Sequence, residues 1–219
     1  TLNNGVTLPA VGFGTWDVRG EAGKNAILTA LELGYRLIDT AQMYDNEEIV
    51  GKAVRESGLH RQEIFITTKL YRPSAGYQKT KAGIEKSLQT LQTDYIDLLL
   101  IHEPYENALE MYEALKEAYA AGAVRAIGIS NFGQKEYDRF LQYCGVVPAV
   151  DQVESHVYYP QLELKEQLTR HGTQMQSWAS FTEGRRNIFA DPLLNQIGIK
   201  YGKTAGQVAL RYLTQSGIA

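Results

Sequence analysis

Apolar runs in this chain repeatedly finish on one isolated polar side chain, and these ends recur about every 30 residues, the length of a strand-helix-strand unit. Arg36-Leu37-Ile38 leads into Asp39, and Ile64-Phe65-Ile66-Thr67-Thr68 leads into Lys69. Asp97-Leu98-Leu99-Leu100-Ile101 leads into His102, and Val124-Arg125-Ala126-Ile127-Gly128-Ile129 leads into Ser130-Asn131. A parallel sheet rolled into a barrel is the architecture that brings such ends together, because every strand then points its C-terminal end at one mouth. Convergence of these groups matters more than any one of them.

Between the runs the periodicity changes from two to 3.6. Helical stretches are expected near residues 21–34, 46–57, 78–92, 106–121, 133–143 and 161–171. Strands are expected near 36–41, 64–70, 96–102, 124–130, 149–154 and 173–179. Gly34, Gly58, Gly122 and Gly172 each close a periodic run, where a left-handed residue is wanted. Asn3-Asn4-Gly5 carries the turn chemistry of a short hairpin, followed by a first strand over 11–15. Residues 191–199 and 204–214 read as two more helices, and Gly217-Ile218-Ala219 falls where an eighth strand is due. The expected fold is therefore an α/β (β/α)8 TIM barrel with an N-terminal β-hairpin, one domain over 1–219. On this reading the eighth strand and the C-terminal segment are missing from the chain.

Composition narrows the partners. With 219 residues and 44% hydrophobic content the chain can bury a sizeable core. A formal charge of -3 with interspersed signs offers no basic stripe for nucleic acid and no polybasic membrane patch. Cys144 is the only cysteine, which fits a reducing cytoplasm, and no apolar stretch reaches the roughly 20 residues of a membrane span. A small-molecule partner and a monomer or weak homo-oligomer are expected.

The polar ends suggest acid-base chemistry. An ammonium buried at Lys69 needs a carboxylate, and Asp39 sits at the matching end of the preceding strand. Tyr44 lies in the next loop, close enough to fold over the same mouth. A phenol has a pKa near 10, and a neighbouring ammonium is expected to lower it, making Tyr44 a general acid. His102 is expected to donate a hydrogen bond to a substrate oxygen. Ser130, Asn131 and Gln152 offer hydroxyl and amide groups suited to a carboxamide, and Trp178 offers a flat face for an aromatic ring. Gly184 with Arg185 and Arg186 forms a polar loop suited to a pyrophosphate. Leu70, Tyr71 and Tyr105 are expected to give the pocket an apolar or aromatic rim.

These segments together resemble the aldo-keto reductase family. The resemblance is carried by Gly12-Phe13-Gly14-Thr15-Trp16, by Ile38-Asp39-Thr40-Ala41 through Tyr44 and Glu47-Glu48, by Thr67-Thr68-Lys69, by Leu100-Ile101-His102, by Ile127-Gly128-Ile129-Ser130-Asn131, and by Gln152-Val153-Glu154. It implies a catalytic tetrad of Asp39, Tyr44, Lys69 and His102, with Tyr44 as proton donor to an aldehyde or ketone reduced by hydride from NADPH, and no metal. It also implies that Ser130, Asn131 and Gln152 grip the nicotinamide carboxamide while Trp178 stacks on the ring. Thr15 approaches the ribose in that scheme, and Trp16 lines the substrate pocket beside Tyr44 and His102. Residues 177–181, including Ser180 and Phe181, with Gly184 beyond, resemble the loop that wraps the pyrophosphate, with Ser180 at a position where the family commonly has proline. Three other readings stay open: a non-catalytic cofactor-binding subunit, a Schiff-base aldolase using Lys69, and a metal hydrolase using His102 and His156.

Overall fold

The computed structural model describes residues 1–219 and contains one seven-stranded, all-parallel sheet in the order β1-β2-β3-β4-β5-β6-β7. The strands are β1 (Gly12–Gly14), β2 (Leu37–Asp39), β3 (Phe65–Leu70), β4 (Leu98–Ile101), β5 (Ile127–Ser130), β6 (Val150–Glu154) and β7 (Gln174–Trp178). They alternate with α1 (Gly20–Glu32), α2 (Glu47–Glu56), α3 (Tyr77–Leu91), α4 (Ala108–Ala120), α5 (Gln134–Leu141) and α6 (Leu162–His171); α7 (Pro192–Tyr201) and α8 (Ala205–Gln215) follow β7. The sheet curls into a nearly closed barrel. No helix is long and apolar enough to cross a membrane.

Both periodicities read from the sequence are visible in the packing. On α4, Ala108, Met111, Tyr112 and Leu115 are buried at the i, i+3, i+4, i+7 spacing of one helical face. They join Ile38, Ile66, Leu99, Ile101, Ile127 and Ile129, the outward residues of the strands, in the larger apolar cluster between sheet and helices. The alternate residues Leu37, Phe65, Leu98, Leu100 and Val150 form a second cluster inside the barrel. By the same alternation Asp39, Lys69, His102, Ser130, Gln152 and Trp178 follow these inward positions, so the polar groups are stacked above an apolar plug. Helix ends are set locally: Asp191 accepts from Leu194 N at 2.9 Å to start α7, and Thr204 and Gln207 form a reciprocal capping box on α8. Gly172, at φ +79°, ends α6 as expected.

Several expectations change. The strands are shorter than the apolar runs, since β2 keeps three residues of the expected six. The N-terminal hairpin reduces to a turn closed by Leu2 N to Val6 O at 2.8 Å and Gly5 N to Leu2 O at 3.0 Å, with no strand pair beyond it. Its apolar residues are used elsewhere: Leu2 is buried in the interior cluster, with Val6 and Leu8 packed against it, so the segment caps the barrel floor. Leu70 is fully buried in the helix-facing cluster rather than at the pocket rim, because its neighbour Lys69 takes the inward position. At the other edge, Ala219 bonds to β7 in strand fashion, through Ser177 N to Ala219 O at 2.8 Å and Ala219 N to Met175 O at 3.2 Å.

Candidate active site

Lys69 organises the mouth. Its side chain is 1% exposed, and its three ammonium protons have three acceptors: the Asp39 carboxylate, the Thr40 carbonyl at 3.0 Å and the Tyr44 hydroxyl at 3.2 Å. The second Asp39 oxygen accepts from Gln152 Nε2 at 2.6 Å, and Gln152 Nε2 also reaches Gln176 Oε1 at 3.0 Å. Strands β2, β3 and β6 are thus tied together through the Asp39 carboxylate, and Gln152 extends the link to β7. Tyr44 stands on a single 3-10 turn, Gln42–Tyr44, directly after β2. Its ring meets the edge of Trp16 at 5.0 Å and of His102 at 5.8 Å between centroids. Trp16 is 54% exposed and forms the outer lip of this cluster.

The electrostatics differ from expectation at Tyr44. Burial raises the phenol pKa above its usual value and outweighs the lowering by the Lys69 charge, while Asp39 adds to the rise. The ammonium acts in the expected direction, but burial outweighs it and the carboxylate that holds it in place opposes it as well. The phenol is therefore fully protonated at neutral pH. Burial opposes the charge on Lys69, yet Asp39 and Tyr44 together raise its pKa, so it stays an ammonium. His102 is pushed down to about 4, first by burial and then by the Lys69 charge. Its ring is neutral at pH 7, and its Nδ1 is buried without a partner.

Ser130, Asn131 and Gln152 come together on adjoining strand ends beside this cluster. Ser130 Oγ donates to the Gln152 carbonyl at 2.8 Å. Asn131, in the left-handed region at φ 64°, donates to the His102 carbonyl at 3.1 Å and to Glu103 Oε1 at 2.8 Å, and its Oδ1 accepts from Trp178 Nε1 at 2.8 Å. Trp178 is thereby fixed at the same mouth as Lys69. The Asn131 amide hydrogens, the Ser130 hydroxyl hydrogen and the Gln152 amide hydrogens are all engaged with the protein, which leaves the Gln152 side-chain oxygen and the Ser130 oxygen as acceptors for the –NH2 end of a carboxamide. Thr15 is fully buried, its Oγ1 donating to the Asp39 carbonyl at 2.9 Å.

The segment after β7 is only partly as expected. Ser180 Oγ pairs with Ser177 Oγ at 2.9 Å, while the Phe181 ring packs on Phe189 at 5.2 Å, in the apolar cluster of Ile188, Leu194 and Ala205. Ala179, Thr182, Glu183 and Gly184 all have positive φ, so the chain turns sharply here. Neither arginine stands free. Arg185 pairs with Glu154 at 2.8 Å and Glu183 at 3.3 Å, and Arg186 lies 4.9 Å over the Tyr158 ring. His156 bonds to the same Glu154 oxygen at 3.2 Å.

Two residues were missed by reading the sequence. Gln176 buttresses Gln152, and Trp178's inward position on β7 marks it two residues earlier on the same face. Glu154 latches the loop after β7, a long-range pairing with no local signal.

With the site in view, comparison with known proteins is informative. The model of the Aldo/keto reductase family matches residues 10–218. The chain is 39% identical to the glyoxal reductase of Bacillus subtilis, over 99% of this chain and 79% of that protein. It is 36% identical to a methylglyoxal reductase of Escherichia coli, with the same shares covered. Among solved structures, an aldo/keto reductase from Brucella melitensis superimposes with a TM-score of 0.94 at 36% identity, covering 99% of this chain and 84% of that one.

Proposed function

The chain belongs to the aldo/keto reductase family, and from that premise we propose that it reduces small aldehydes or ketones to alcohols with NADPH, Tyr44 being the proton donor. The observation that carries this reading is the 3.2 Å contact between Lys69 Nζ and the Tyr44 hydroxyl at the mouth of the barrel. Trp178, Ser130, Asn131 and Gln152 are the residues that would hold a reduced nicotinamide cofactor, which when bound would supply the hydride.

The protein's own residues do the rest. Tyr44 presents a protonated hydroxyl to the carbonyl oxygen, and as negative charge grows there the phenol proton moves to it. Lys69 stabilises the phenolate left behind, opposing the burial that disfavours it. Asp39 keeps the ammonium charged and aimed. His102, neutral, donates one N–H to the same oxygen. Trp16 shields the reacting group from water. Thr15 would meet the cofactor's ribose, and the loop that carries Ser180, Phe181 and Gly184, with Arg185 and Arg186, would hold its pyrophosphate.

The aldolase reading is weak because an amine held as ammonium by Asp39 has no free lone pair. The same proposal includes one barrel domain over 1–219, acting as a monomer or weak homo-oligomer in a reducing cytoplasm, with which the buried free thiol of Cys144 is consistent. The relatives named for glyoxal and methylglyoxal make small dicarbonyls the first substrates to try. The test is loss of reduced-cofactor absorbance with glyoxal, methylglyoxal and a simple aromatic aldehyde, using NADPH and NADH in parallel. Turnover with preference for NADPH is expected. Cofactor binding without turnover of any carbonyl would contradict the proposal.

A further inference from the structure

The turn that carries Tyr44 is too short to hold itself. It has three residues, no side-chain cap, and two backbone hydrogen bonds, Tyr44 N to Ala41 O at 3.0 Å and Asp45 N to Gln42 O at 3.2 Å. A lone 3-10 turn has little intrinsic stability, so its position must be imposed by tertiary contacts. The phenol's own contacts are modest: one hydrogen bond from Lys69 and edge contacts with Trp16 and His102.

The firmest attachment lies behind the turn. Gln42 donates to the Gly83 carbonyl at 2.8 Å and to Ser87 Oγ at 2.9 Å, and its Oε1 accepts from Ser74 Oγ at 2.9 Å. All three partners are on α3 or the turn preceding it, and none of them is hydrogen-bonded to Asp39, Lys69 or Tyr44. Ser74 is itself buried, its carbonyl held by Thr80 Oγ1 at 2.7 Å. Position 83 has to be small for this to fit: a Cβ there would stand 2.7 Å from Ser74 Oγ. On the opposite flank Asn46 accepts from Thr40 Oγ1 at 2.6 Å and donates to the Thr15 carbonyl at 2.7 Å.

We infer that Gln42 is a positioning residue for Tyr44: docked on Gly83, Ser74 and Ser87, its amide fixes the 42–44 turn so that the phenol stays over Lys69. This rests on the reading of Tyr44 as proton donor. Displacement of a reacting group by about 1 Å costs up to roughly a hundredfold in rate, which makes a residue with no contact to substrate kinetically visible.

The test uses the full chain, a reduced nicotinamide cofactor and a small aldehyde. Gln42→Met keeps the side-chain length and removes its polar atoms, and Gly83→Ala pushes Ser74 away from Gln42 from the other side. Each is expected to lower kcat about tenfold or more, with KM and cofactor Kd within about twofold of the parent. The alkaline decline of kcat should move to higher pH, because a phenol drawn off Lys69 loses the cation that opposes its rise. Wild-type kcat and pH profile in Gln42→Met, whatever its melting temperature, would overturn the inference. So would a loss of kcat matched by equal loss of cofactor binding, the mark of general unfolding. Tyr44→Phe, measured alongside, separates the two ideas: near-parent turnover in that variant would sink the proton-donor reading itself.

Discussion

The floor and the mouth of this barrel are built by the same strands and solve opposite problems. At the floor, Leu2 closes an apolar interior of Leu37, Phe65, Leu98 and Leu100, and the charged group nearby is fully matched: Asp97 takes Arg61 and Arg125, each at 2.7 Å. Further along the same strands the interior turns polar: Asp39 stands two residues beyond Leu37 on β2, and Thr67 and Lys69 stand two and four residues beyond Phe65 on β3. There His102 Nδ1 and Thr67 Oγ1 are buried without partners, and Asn131 and Ala179 hold left-handed backbone. Such costs are tolerated at the mouth because the floor and the helix layer supply the stability. The difference shows that stability and chemistry in one strand can be separated by two to four residues, roughly 7–13 Å of chain.

That separation can be broken experimentally. The largest effect is expected from Lys69→Met, which removes the cation and strands the Asp39 carboxylate. The account expects kcat to fall about 10²–10⁴-fold and stability to fall by about 3–5 kcal/mol. Adding Asp39→Leu to it should recover most of the stability and none of the turnover, read by denaturant melts beside steady-state rates. If the double variant regained activity, the pair would be structural only.

Leu2→Ala probes the floor. A loss of about 2–4 kcal/mol is expected from the cavity left under the interior cluster, with kcat unchanged within about twofold. A drop in kcat comparable to that of Lys69→Met would show that the two ends are not separable.

The smallest effect is sought outside both ends. Asp151 is fully buried on the outward face of β6 with both carboxylate oxygens unpartnered, and burial raises its pKa well above the usual carboxylate value. The folded protein therefore binds a proton that the unfolded chain has released, so this group loses stability as pH climbs from the unfolded value through the folded one. Asp151→Asn should stabilise by about 1–2 kcal/mol at neutral pH, with a gain that grows as pH rises over that window and vanishes in acid. A melting temperature equal to the parent at every pH would show that Asp151 is solvated after all.

Much of this was legible in advance, for physical reasons. Alternation of two along Leu37-Ile38-Asp39 and Phe65 to Lys69 fixes which side chains face inward, and parallel winding then sends Asp39, Lys69, His102, Ser130 and Gln152 to one end. What was not legible depended on balance or distance. The direction of the Tyr44 pKa is a contest between burial and the Lys69 charge that no spacing decides. The Asn3-Asn4-Gly5 turn formed, but its flanking residues gained more by plugging the floor than by pairing with each other. The Arg185–Glu154 latch joins residues 31 positions apart with α6 and β7 between them, and Gln42 finds its partners on a helix that begins 35 residues later and on the turn before it. Pairings of this kind follow from packing, which the local pattern does not encode.

The most direct test compares the parent with Tyr44→Phe, a change of one oxygen at the mouth. With saturating NADPH and methylglyoxal, the account predicts that kcat falls about 10³-fold, within the range of a lost general acid, while NADPH binding and the melting temperature stay at parent values. A Tyr44→Phe enzyme turning over within about threefold of the parent would contradict it.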